Sequence, residues 1–105
     1  EDSHTYKVIR LIEAHAAALG TGKETGLAVF APENWPMAWY LRDYKKTGYW
    51  GEIKNDVTSD MYVVSDAQDP QMAMRTAGKY DRFGPYNMRG VVNLILYVKR
   101  PTTAP

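Results

Sequence analysis

Three short apolar runs constrain this chain most: Leu27-Ala28-Val29-Phe30, Met61-Tyr62-Val63-Val64 and the stretch Val91 to Val98. Each is too brief for a buried helix and is bounded by turn residues, so each reads as a strand of a shared core. Between them lie helix signals. Tyr6 to Leu19 carries Val8, Leu11, Ile12, Ala16 and Leu19 at three- and four-residue steps, with Lys7, Arg10, Glu13 and Ala17 opposite. That spacing predicts an amphipathic helix, with Ser3 or Thr5 as its cap and Gly20-Thr21-Gly22 as its end.

The first strand is expected within Gly26 to Ala31, buried on both faces. Asn34 suits a helix N-cap and Pro36 a first helical position, so a second helix is predicted over Trp35 to Tyr44, closed by Lys45, Lys46 and Gly48. Tyr49 to Ile53 is a weaker strand signal because of its glycine. Asp60 to Ser65 is the second clear strand, Asp66 to Pro70 a turn, and Pro70 to about Lys79 a third helix. Phe83 to Arg89 and Val91 to Val98 should form an antiparallel hairpin turning near Gly90. The expected fold is a layered α/β domain: three helices, a mixed, mainly parallel sheet of about four or five strands, and a C-terminal hairpin. It occupies residues 1–100, with 101–105 as a tail or linker.

Composition narrows the function classes. The 105 residues are 45% hydrophobic and 24% charged, which suits one core in water. Net charge is +1, from 13 basic and 12 acidic side chains of interspersed sign, so the field that nucleic-acid binding requires is missing. No run approaches the length of a bilayer span, and the start has no basic segment with an apolar signal core. Without cysteine there is no disulfide, thiolate nucleophile or zinc-thiolate site. The chain opens on Glu1 and ends in Arg100-Pro101-Thr102-Thr103-Ala104-Pro105, which reads as a piece of a longer protein.

Catalytic motifs are scarce. Gly20-Thr21-Gly22-Lys23 follows a helix and precedes a strand, the reverse of a phosphate loop. Ser3, Ser59 and Ser65 lack a nucleophile-elbow frame, and His4 and His15 have no second ligand at metal spacing. No metal or cofactor is expected. If the strands ending near Ala31 and Ser65 are parallel neighbours, Glu33, Asp66 and Asp69 face one crevice at their carboxyl ends, as an acid/base pair or a hard-cation site would. The plainer reading is that Asp66 and Asp69 cap the third helix.

The densest segment is Trp35-Pro36-Met37-Ala38-Trp39-Tyr40-Leu41-Arg42-Asp43-Tyr44, with two of the three tryptophans. At helical spacing Trp35, Trp39 and Arg42 share one side and Met37, Leu41 and Tyr44 another. One of those sides exceeds what a single core can hide. Aromatic planes beside an arginine suit sugar faces and hydroxyls, whereas the bland alternative buries the indoles and pairs Arg42 with Asp43 or another acid.

This ten-residue stretch resembles the W-P-x-x-W-Y-L-R-D-Y element of the flippase-activity-associated membrane proteins related to dolichyl-phosphate-mannose protein mannosyltransferases. Tyr80 to Val98, with Tyr86, Arg89 and the Leu94 to Val98 strand, resembles the closing segment of that group. The resemblance implies a C-terminal domain on the extracytoplasmic side of a membrane glycosyltransferase-like protein, whose chemistry resides in the membrane part. The domain itself would position a glycan, lipid-linked sugar or acceptor through Trp35, Trp39, Tyr40 and Arg42, supported by Glu33, Asp43, Asp66 and Arg89. Its implied partners are the transmembrane region of the same chain and a saccharide or lipid-linked sugar. Two other functions stay open: docking on the membrane region or a twin subunit without a ligand, and a small hydrolase or transferase using Glu33 and Asp66.

Overall fold

The computed structural model describes residues 3–35 and 37–100, without the side chains of residues 3–5 and Arg89. The readings of Pro36, of a Ser3 or Thr5 cap, of the His4 side chain and of the 101–105 tail lie outside the described residues.

Helix α1 runs over Ser3–Leu19 and ends at Gly20, whose φ of +79° is the left-handed conformation that a C-terminal glycine supplies. Strand β1 (Leu27–Val29), helix α2 (Met37–Tyr40) and strand β2 (Thr47–Tyr49) follow, then strand β3 (Met61–Ser65) and helix α3 (Asp69–Arg75). Strands β4 (Tyr80–Arg89) and β5 (Val92–Lys99) close the fold as an antiparallel hairpin turning at Gly90. The five strands form one mixed sheet in the order β2-β1-β3-β5-β4. β1 is parallel to both β2 and β3, whereas β5 is antiparallel to β3 and β4, so the expected mixed α/β architecture with its C-terminal hairpin is present.

Alternation along the strands divides the core in two. Leu27, Val29, Met61, Val63, Leu94 and Leu96 point to the face covered by α1 and α2. Ala28, Phe30, Tyr62, Val64, Ile95 and Tyr97 point to the other, where Met72 of α3 covers them. β1 and β3 are therefore buried on both sides, which is why their sequences are continuous apolar runs. α1 contributes Val8, Ile12 and Ala16 as expected, together with Ile9, which its spacing had not singled out.

Several boundaries differ from expectation. The second helix is four residues long rather than ten. Met37, Leu41 and Tyr44 are all drawn into the core, the Tyr44 N–H bonds the Leu41 carbonyl at 2.9 Å in a tight turn, and the Thr47 hydroxyl takes the Tyr44 carbonyl at 2.8 Å. The chain must turn there to bring Thr47 beside Leu27 in the parallel pair. β2 consequently lies at Thr47–Tyr49 instead of Tyr49 to Ile53. Gly48 suits it because the Trp50 indole lies against the space that a Cβ would take.

α3 stops at Arg75 rather than about Lys79, since the Thr76 hydroxyl caps the Met72 carbonyl at 2.7 Å and Gly78 turns with φ +80°. β4 begins at Tyr80, three residues before the expected Phe83, because Tyr80, Asp81 and Arg82 pair with Lys99, Val98 and Tyr97. The register shifts twice along β4, between Phe83 and Tyr86 and between Asn87 and Arg89; the first falls at Gly84, whose φ is +115° and where a Cβ would come 3.0 Å from the Leu94 carbonyl oxygen.

Candidate functional site

Met37, Leu41 and Tyr44 anchor α2 and the turn after it to the sheet at 0, 1 and 4% exposure. That anchoring turns the opposite side outward: Trp35 is 64% exposed, Trp39 57% and Tyr40 38%. The indoles are thus surface groups and not core filling, as the excess of bulky residues implied. Burying large aromatic faces is favourable, and a cluster of them left in water marks a surface that meets something else.

Arg42 completes the cluster. Its guanidinium lies 4.0 Å from the Trp39 ring centroid and donates from Nη1 to the Trp39 carbonyl at 2.7 Å. Among the described residues it forms no ion pair, neither with Asp43 nor with another acid, and Asp43 itself is exposed. An exposed stack of this kind contributes about 0.5–1 kcal/mol, enough to hold the indole and the guanidinium in register. The result is an exposed indole with a guanidinium stacked on it, flanked in the chain by the exposed Trp35 and Tyr40.

Two further residues join this surface that the sequence did not single out. Tyr6 on α1 is 47% exposed, and its ring lies 6.4 Å from that of Tyr40. Arg10, one turn on, sits 4.8 Å over the Tyr6 ring. Tyr6, Arg10, Leu11 and Tyr86 line a hollow of about 420 Å³. Only the packing of α1 beside α2 brings Tyr6 to Tyr40, so no local pattern could have found it.

The second expected site is present in part. β1 and β3 are parallel neighbours, and Glu33 and Asp66 line one cleft of about 220 Å³ at their carboxyl ends, beneath Val91 and Val92 of the hairpin. Asp66 accepts a hydrogen bond from Asn93 Nδ2 at 3.1 Å. Asp69 is not in this cleft. It faces the sheet, where Arg82 grips it from Nε and Nη2 at 3.1 and 2.6 Å, and the Tyr97 hydroxyl donates to Oδ1 at 2.5 Å.

Neither aspartate is seen capping α3 by its side chain. Ser65 and Gln68 bond reciprocally instead, Gln68 N–H to Ser65 Oγ at 3.3 Å and Ser65 N–H to Gln68 Oε1 at 2.9 Å, in the manner of a capping box. Gln68 Nε2 also donates to the Phe30 carbonyl at 2.8 Å, tying the helix start to β1. Arg89 ends β4 opposite Val92, and its side chain lies outside the described residues. The His15 ring lies against that of Phe83, with centroids 4.6 Å apart and a 40° tilt. Among the described residues no three His, Asp or Glu side chains gather as metal ligands would.

The electrostatics of the Asp69 group are structural. Its hydrogen bonds from Arg82 hold the carboxyl below the usual range, while burial and the adjacent Asp69 carboxylate push the Tyr97 phenol up to about 12. A carboxyl depressed on folding stabilises above its unfolded pKa, and that contribution disappears as pH falls through the folded value. Asp69→Asn should therefore cost about 1–2 kcal/mol near pH 7, given an Arg82 partly screened by water, and progressively less below about pH 4. Urea titrations of both proteins at pH 7 and pH 2.5 check this; a penalty that does not shrink in acid would locate the effect elsewhere.

No helix among the described residues is long and apolar enough to cross a membrane. Comparison with protein-family models, curated proteins and solved structures finds no match to the chain.

Proposed function

We propose that this chain is a binding and positioning domain whose α2 surface contacts a glycan or lipid-linked sugar, as part of a membrane glycosyltransferase-like protein of the flippase-activity-associated group. In that setting it faces away from the cytoplasm, and the transfer chemistry belongs to the membrane part. The observation that carries the reading is the outward display of Trp35 and Trp39 with Arg42 stacked on the second indole. An exposed indole face packs on the C–H face of a pyranose, and the guanidinium edge donates to hydroxyl or phosphate oxygens. Tyr40 joins Trp35, Trp39 and Arg42 as a primary contact, and Asp43, Glu33, Asp66 and Arg89 are supporting contacts in this proposal.

Titration with oligosaccharides and short polyprenyl phosphates, followed by tryptophan emission and amide NMR shifts, tests it. The expected result is a saturable change at residues 35–43 that Trp39→Ala abolishes. Unchanged emission and unchanged shifts across both ligand series would remove sugar recognition. A second reading is favoured by the hollow under Tyr6, Leu11 and Tyr86, which adjoins Tyr40. There the same surface docks on the membrane region or on a twin subunit. Self-association that Trp39→Ala abolishes, measured by sedimentation, would support the twin-subunit form.

A further inference from the structure

On the sheet face opposite α2, the last turn of α3 and the open end of the hairpin enclose a cleft of about 480 Å³. Its wall carries Arg75, Lys79, Lys99 and Arg100 and no carboxylate. These cations come from separate segments. Arg75 ends α3, Lys79 precedes β4, Lys99 closes β5 and Arg100 follows it; the Tyr80 to Lys99 pairing and the Arg100 N–H to Lys79 carbonyl bond at 3.0 Å bring them together.

Their charges are unevenly balanced. Arg100 is paired with Asp81 at 2.7 Å, but among the described residues Arg75, Lys79 and Lys99 form no ion pair. Arg75 is half-buried, and its donors go to the Lys54 and Val57 carbonyls and the Tyr62 hydroxyl, all neutral. The nearby Asp60 carboxylate accepts from the Gly26 N–H at 2.8 Å and lines the adjoining cleft, whose wall Lys99 shares. Three cations outside any ion pair around one concavity, in a chain whose net charge is only +1, make a local positive field that Asp60 in the adjoining cleft offsets in part. Lysines act on a phosphate group as point charges, without the planar fork by which arginine selects a carboxylate. The Tyr62 and Tyr80 rings, 5.3 Å apart and tilted at 45°, form an aromatic wall beside the cleft.

We propose that this cleft binds the phosphate group of an organic phosphoester, with Lys79 and Lys99 as the charged contacts at its mouth and Arg75 as the fixed cation behind them. It is separate from the α2 surface and stands or falls without it. An extended nucleic acid is disfavoured because the cations form one cluster and not a stripe.

Amide NMR titrations of the chain with glycerol 3-phosphate, inorganic phosphate and neutral glycerol test the proposal, alongside sedimentation with phosphatidylglycerol and phosphatidylcholine vesicles. Saturable shifts centred on residues 76–80 and 99–100 are expected with both phosphates and not with glycerol, weakening several-fold between about 20 and about 200 mM salt. The double variant Lys79→Ala, Lys99→Ala, both exposed side chains, should lose at least about tenfold in affinity while keeping its thermal midpoint and its α2 amide shifts. Response to glycerol 3-phosphate assigns a soluble phosphoester. Response only to phosphatidylglycerol vesicles, abolished by the double variant, assigns a lipid headgroup. Absence of any saturable response to either source, shifts spread over Lys7, Lys23 and Lys45 instead, or an unaltered affinity in the double variant would overturn the site.

Discussion

Phe30→Ala should lower the unfolding free energy by about 3–5 kcal/mol, as removal of a buried aromatic ring does when its site cannot collapse. Phe30 is fully buried, with its ring 5.5 Å from Tyr62 and 5.8 Å from Trp50, and the Arg75 guanidinium 6.0 Å away. Its main chain is held as firmly, the N–H on the Val63 carbonyl at 2.9 Å and the carbonyl on Gln68 at 2.8 Å. The backbone therefore cannot sink to fill the gap, and the void opens under Trp50. Urea denaturation with an unchanged slope would report the loss, and Trp50 emission should shift with it. A loss below about 1 kcal/mol would mean that the second core yields more readily than its hydrogen bonds allow.

The second large effect is a contrast within one short segment. Leu41→Ala should cost about 2–5 kcal/mol, because Leu41 is 1% exposed against α1 and the sheet. Trp39→Ala, two residues away and a larger truncation, should cost less than about 1 kcal/mol, since its indole is 57% exposed and loses mainly the Arg42 stack. Parallel denaturation curves of the two variants check this. The inverse order would place Trp39 in the core and withdraw the recognition surface on which the functional proposal rests.

Local pattern was a good guide wherever burial is two-sided or periodic. The runs at Leu27 to Phe30 and Met61 to Val64 are apolar throughout because helices cover both sheet faces, so their strand character needed no partner to be read. Within Trp35 to Tyr44, the division of Met37, Leu41 and Tyr44 from Trp35, Trp39 and Arg42 survived the shortening of the helix. Turns through 41–43 keep the same residues on the inner side.

Long-range contacts were invisible for an equally plain reason. Arg75 is an ordinary last-turn arginine in the sequence, yet it holds the 54–57 loop by its carbonyls from across the sheet face. Asp69 looked like a capping acid, but Arg82 and Tyr97 lie 13 and 28 residues further along, and their reach depends on the β4–β5 register. Tyr6 became part of the aromatic surface only through the side-by-side placement of α1 and α2.

The amino-acid order alone thus determined the elements, the two-sided burial of the central strands and the amphipathic split around Trp39, since these follow from side-chain periodicity within a few residues. The tertiary structure decided where each element stops, which carboxylates meet which cations, and that Arg75, Lys79, Lys99 and Arg100 surround one cleft. Those outcomes depend on strand order and register, and charge interactions act between residues that only folding makes neighbours.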